Sequence, residues 1–162
     1  MGDYPKELLL QLHRTMYSIR RFEETITEMA SVAQIPSFLI HLYVGQEAIA
    51  TGVGAALRED DYIVSTHRGH GHLIAKGGQL DRMMAELTGK ETGYCRGRGG
   101  SMHVCSAELG SLGANGIVGA GLVIAPGAAL SAKLRGTETV RATISIRSGV
   151  RYLGERVHDP AG

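Results

Sequence analysis

A chain of 162 residues with 43% apolar residues and a formal net charge of +1 can bury one sizeable core. The near-neutral charge argues against a nucleic-acid surface or an acidic tail. No apolar run approaches the ~20 residues needed to span a membrane. The 23 glycines, about twice the usual frequency of ~7%, crowd residues 69–136, so that half is built on turns and close backbone approaches.

Pro5 opens the first helix as a first-turn residue. Leu9, Leu12, Met16, Ile19, Phe22, Ile26 and Met29 then recur every three or four positions, which predicts a long amphipathic helix. Arg14, Arg20, Arg21, Glu23 and Glu24 fall on its other face. Residues 31–37 break it at Pro36. A second helix is expected over 46–57, a polar turn at 58–62 and a short strand within 61–66. A third helix follows over 79–90, with Leu80, Met83, Met84 and Leu87 inward and Gly89 as its stop. Residues 93–105 read as a glycine-rich loop. Residues 119–134 read as a helix of small residues, ended by Gly136 and favoured at its C-terminus by Lys133 and Arg135. The run 139–146, TVRATISI, suits a buried strand. Helices alternating with strands predict α/β layers around a parallel sheet. Cys95 and Cys105 lack metal-type spacing and fit a reducing compartment better than a disulfide scaffold. With Asp3 and Glu7 near the start and no signal-peptide apolar region, the expected location is the cytoplasm.

The segment YIVSTHRGHGHLIAKGG, residues 62–78, carries the chemistry-bearing side chains. His70 and His72, two apart, would share a face of a strand and with His67 could ligate zinc. No carboxylate lies in the loop, however, and there is no HExxH. An anion site fits better, because Arg68 brings a permanent charge and the flanking glycines expose backbone N–H groups. A glycine-rich turn with satisfied histidines stays open. GANGIVGAG at 113–121 holds part of a dinucleotide fingerprint, but no strand is evident before it and no acidic residue follows at the right distance. CRGRGGSMH reads as a phosphate loop or a mobile surface loop.

The order of these segments is more telling than any one of them. HLYVGQEA, STHRGHGH, MMAELTGKETGYCRGRGGSMH and LGANGIVGAG follow one another as in the alpha subunits of thiamine-diphosphate-dependent 2-oxo acid dehydrogenases, which this chain resembles over about residues 8–140. The resemblance implies a thiamine-diphosphate-binding, Rossmann-like three-layer α/β fold with an N-terminal helical layer. It places Arg68, with His67, on the cofactor diphosphate, and Gly116 and Val118 against the aminopyrimidine ring. His41 would lie near the substrate, and Ser106 in a loop bordering the cofactor. Most pyruvate-type members have Tyr–Arg where this chain has His67 and Arg68; the THRGHGH form is most similar to the acetoin dehydrogenase subgroup. The implied chemistry is decarboxylation of a 2-oxo acid such as pyruvate, or acetoin cleavage, with the carbon fragment passing to the lipoyl group of an acyltransferase component. The implied partner is a beta subunit in an α2β2 assembly, which supplies the activating glutamate.

Family members continue with Gly-Asp-Gly and a later Asn, which hold magnesium through oxygen ligands. In an ungapped reading Arg147 falls where the Asp belongs, and the one Asn of the sequence, Asn115, is already used upstream. The expectation is therefore a domain over 1–140 and a divergent tail over 141–162, truncated relative to the family, with no metal ligands and little independent activity. The abrupt change near Val140 reads as a shifted reading frame, with a native C-terminus as the alternative. Two further readings stay open: a non-catalytic module that pairs with a beta subunit, and a small metal hydrolase using His67, His70 and His72.

Overall fold

The computed structural model describes residues 4–35 and 40–137, and the backbone alone of residues 141–143. Helix α1 (Lys6–Ser31) leads to α2 (Glu47–Ala56), strand β1 (Tyr62–Thr66), α3 (His70–Ala75), α4 (Leu80–Leu87), α5 (Gly100–His103), β2 (Ser111–Asn115), α6 (Gly121–Arg135) and β3 (Arg141–Thr143). Pro36, Arg147 and the tail beyond residue 143 lie outside the described residues.

The strands form a parallel sheet in the order β2-β1-β3. Parallel neighbours need long crossovers; here these are the segment carrying α3, α4 and α5, and then α6, which packs on β1 and β3. Helices α1, α2 and α3 pack on one another. Between them lies a core that includes Ile19, Phe22, Ile26, Tyr43, Leu73 and Met83. This is the expected α/β architecture with a helical layer. Among the described residues no helix is long and apolar enough to cross a membrane.

Helix ends follow local chemistry. Gly77, Gly89 and Gly136 adopt left-handed backbone after α3, α4 and α6. Each donates to the carbonyl three residues back, and the next N–H reaches the carbonyl five residues before it, the Schellman closure. Helix α1 ends the same way with Ala33 in the left-handed position, φ 57°. The stop therefore comes at Ala33, ahead of the expected break. Pro5 sits just outside α1, and its carbonyl accepts from Leu9 N at 3.1 Å.

Three expectations need correction. Glu23, assigned to the polar face of α1, is fully buried between Ile19 and Ile26. Leu9 and Leu80 are 50% and 40% exposed despite their place in apolar stripes. A strand does precede the 116–121 glycines. β2 holds an extra residue between its pairings Ile63 to Ser111 and Ser65 to Ala114. Gly113, at φ 145°, absorbs this bulge, and a bulged, glycine-containing strand leaves no period-2 signal.

The core also holds His72, whose Nε2 is hydrogen-bonded to the Tyr43 hydroxyl at 2.9 Å. Burial pushes the Tyr43 phenol up and holds the His72 imidazole down to about 3. Gly71 lies flat on the Tyr43 ring, where a Cβ would come within 2.5 Å of it. Because the folded His72 stays neutral, the unfolded chain takes up a proton below pH ~6.5 that the folded chain refuses, so stability present above that pH is lost on acidification. We predict that the pH dependence of unfolding free energy between pH 6 and 4 is shallower in His72→Gln by ~1.4 kcal/mol per pH unit. Urea titrations at three pH values measure this, and parallel slopes in the two proteins would refute it.

Candidate functional site

The carboxyl ends of β1 and β2 lie side by side, with Thr66 paired to Asn115 at the last rung. His67 and Arg68 therefore leave one strand beside Gly116, Ile117 and Val118 leaving the other. β1 is central, with β2 on one side and β3 on the other. In such sheets ligands bind outside the carboxyl ends where the strand order reverses. Gly116 and Val118 are exposed at this end.

His41 joins the group from the segment before α2. Its ring meets the His67 ring edge-on at 4.9 Å between centroids. The Arg68 guanidinium donates to the Leu42 carbonyl, which binds the two segments together. Burial first, then His41 and Arg68, lower the His67 pKa, so its imidazole is neutral at pH 7. His67 thus adds no second positive charge beside Arg68.

A buried chain of hydrogen bonds sets the position of His41. Glu23 Oε1 lies 2.8 Å from His70 Nδ1, and His70 Nε2 lies 3.0 Å from Ser101 Oγ. Ser101 Oγ in turn accepts from the His41 backbone N–H at 3.1 Å. The order carboxylate, imidazole, hydroxyl is that of a hydrolase triad. Ser101, however, is only 7% exposed and its oxygen is engaged by His41, so the chain acts as a tether.

Glu86 fixes the helix that carries Ser101. The carboxylate of Glu86 is 1% exposed and accepts four backbone N–H bonds: Cys95 and Gly97 on Oε2 at 2.7 and 2.9 Å, Gly99 and Gly100 on Oε1 at 2.7 and 3.1 Å. The glycine-rich loop is thus neither a free phosphate cradle nor a mobile loop. Its anion is a side chain of the same protein. α5, within the stretch read as loop, grows from this nest.

His103, at the end of α5, went unrecognised in the sequence. Its Nδ1 donates to Ala114 O at 3.2 Å, and its ring lies against Gly116, within 3.6 Å of where a Cβ would stand. Ser106 is not brought here. It bridges to Ser111, the opposite end of β2, ~16 Å from Gly116 at 3.3 Å per residue. The zinc reading is also corrected. His70 and His72 lie on a helix and turn to different partners, and no trio of metal-type ligands occurs among the described residues.

The donor set suits an anionic ligand. Arg68 has five N–H donors, and only one of its nitrogens is bound to Leu42. His41 Nδ1 and Thr66 Oγ1 are buried without a hydrogen-bond partner, and both belong to this end of the sheet.

A family model for the dehydrogenase E1 component matches residues 14–145. The alpha subunit of an acetoin:2,6-dichlorophenolindophenol oxidoreductase from Bacillus subtilis (strain 168) is 52% identical over 135 residues, 83% of this chain and 40% of that protein. Its counterpart from Cupriavidus necator is 49% identical over 138 residues, 85% of this chain and 41% of that one. The pyruvate dehydrogenase E1 component subunit alpha of Rhizobium meliloti is 41% identical over 140 residues, 86% of this chain and 40% of that protein. The chain thus spans about 40% of the length of these relatives.

Replacing Glu86 by Gln keeps the shape and removes the charge, and it turns an NH2 group toward N–H donors. We predict a loss of ~3 kcal/mol and rapid tryptic cleavage after the exposed Arg96 and Arg98. Limited proteolysis with a parallel denaturant titration checks this; unchanged protease resistance would show that the loop does not depend on the carboxylate.

Proposed function

The chain belongs to the dehydrogenase E1 component family, and from that premise we propose that it contributes the alpha-subunit side of a thiamine diphosphate site. The reaction proposed is oxidative decarboxylation of a 2-oxo acid such as pyruvate, or acetoin cleavage, with the carbon fragment passed to a lipoyl group. Arg68, with His67, would hold the diphosphate. Main-chain groups at Gly116 and Val118 would face the aminopyrimidine, and His41 would face the substrate. The observation that carries this reading is the meeting of those segments at one rung of the sheet, Thr66 to Asn115, beside two unpartnered buried polar atoms.

When bound, thiamine diphosphate supplies the carbanion-stabilising chemistry, and the protein orients it and balances its charge. In this chain the tether from Glu23 to Ser101 sets His41, and the Arg68 bond to Leu42 keeps the charge and the histidine on adjacent segments. We propose a beta subunit as partner. Exposed apolar side chains on and before α6 support this: Ile117 is 72% exposed, Val123 80% and Leu134 79%, and exposed apolar surface is what a partner subunit covers.

For the chain as it stands we predict weak, largely magnesium-independent binding of thiamine diphosphate. One charge-assisted contact contributes ~1.5–3 kcal/mol, well short of the ~8 kcal/mol of micromolar affinity. Calorimetry with and without a beta subunit tests this. Arg68→Ala should weaken binding roughly 10- to 100-fold, while Arg68→Lys should recover part of it. Micromolar binding by the isolated chain that a chelator abolishes would overturn the prediction, and affinity unaffected by Arg68→Ala would overturn the site.

A further inference from the structure

Cys95 and Cys105 are ten residues apart in sequence, and their sulfurs stand 3.7 Å apart. Both are half-buried free thiols. The Cys95 thiol also points at the carbonyls of His103 and Cys105, 3.6 Å from each, so it is held against the segment that carries its neighbour. The Glu86 carboxylate fixes the Cys95 backbone from the other side. A disulfide needs the sulfurs at about 2 Å, so an approach of about 1.7 Å closes the pair.

We propose that Cys95 and Cys105 are a site of reversible intramolecular disulfide formation, by exchange with a low-molecular-weight disulfide such as oxidised glutathione. The thiolate of one cysteine attacks a glutathione sulfur, forms a mixed disulfide and releases one glutathione thiolate, which takes up a proton. The second cysteine, after losing its proton, attacks the protein sulfur of that mixed disulfide and releases the second glutathione. Two protein thiols are oxidised and one glutathione disulfide is reduced to two thiols. Burial, then the neighbouring Cys95 sulfur, push the Cys105 thiol up to about 11, so little of it is thiolate at neutral pH. The bond would staple the two flanks of α5, the helix whose Ser101 holds His41 and whose His103 lies on Gly116. The proposal stands on this contact alone and is independent of which ligand the sheet end takes.

The test equilibrates the purified chain in glutathione buffers of increasing oxidised fraction, alkylates the remaining thiols and reads intact mass. The expected result is joint loss of both alkylatable thiols in a monomer lighter by two hydrogens, with no glutathione adduct, reversed by dithiothreitol. In Cys105→Ser the reaction should stop at one glutathione adduct on Cys95. Thiols that stay alkylatable throughout, adducts that persist in the unsubstituted chain, or dimers linked between chains would each overturn the proposal.

Discussion

Two carboxylates, Glu23 and Glu86, are almost wholly removed from water, and the placement of the candidate site follows from how each is held. A buried carboxylate is costly unless donors surround it. Glu86 is satisfied by four backbone N–H groups, which forces residues 95–100 into a closed nest and starts α5 at a defined point. Glu23 is met on Oε1 alone by His70, its Oε2 staying buried without a partner, and this one bond fixes α3 against α1 and directs the second ring nitrogen at Ser101. Ser101 is thus located twice, once by each carboxylate. Through it the His41 backbone is held against the end of the sheet.

The same logic secures the entrance to β1. Lys76, partly buried and lowered in pKa by that burial, donates to the carbonyls of Arg58, Glu59 and Asp61 at 2.8–3.0 Å. Glu47 ties α2 to α1 through Arg20 at 2.6 Å. Burial opposes its ionisation, but the bonds from Arg20 and from the N–H groups of Glu47 and Gly45 outweigh that and hold its pKa down. In each case one side chain orders a backbone turn that has little intrinsic preference, which is how glycine-rich connections become rigid enough to carry a site.

What the sequence discloses follows from range. α1 and α4 were legible from periodicity and α6 from its small residues and basic C-terminal end, and Gly89 and Gly136 were read as stops because left-handed backbone is a local property. β2 was not legible, because its bulge at Gly113 breaks the alternation. α3 and α5, of six and four residues, are too short for a period and depend on contacts with Glu23 and Glu86 distant in sequence. Those two glutamates did leave a signal. Glu23 shares a face with Ile19 and Ile26, and Glu86 stands three residues from Met83 and beside Leu87. A charge inside an apolar stripe predicts a buried partner, although sequence alone does not name it. The roles proposed for His41, Gly116 and Val118 rest on ordered motifs alone, since no residue-level pattern distinguishes a glycine beside an aromatic heterocycle from one in a tight turn.

The two ends of the sheet differ in how completely their polar groups are used. At the amino end, Ser106 and Ser111 close on each other through the backbone, Gly110 O accepts from Ile63 N at 2.8 Å, and Lys76 fills the nearby carbonyls. At the carboxyl end, Thr66 Oγ1 and His41 Nδ1 are buried and unmatched, and a guanidinium stands beside them on a backbone tie. Unmatched buried polar atoms cost stability, and folds keep them mainly where a ligand or partner completes the set. Parallel strands also leave their last carbonyls and the following N–H groups at this same end. Among the described residues Glu23 Oε2, Gln46 Oε1 and Thr51 Oγ1 are also buried and unmatched, so it is the pairing of two such atoms with the Arg68 guanidinium at the carboxyl end that gives a physical argument for the position of the site, separate from any similarity in sequence.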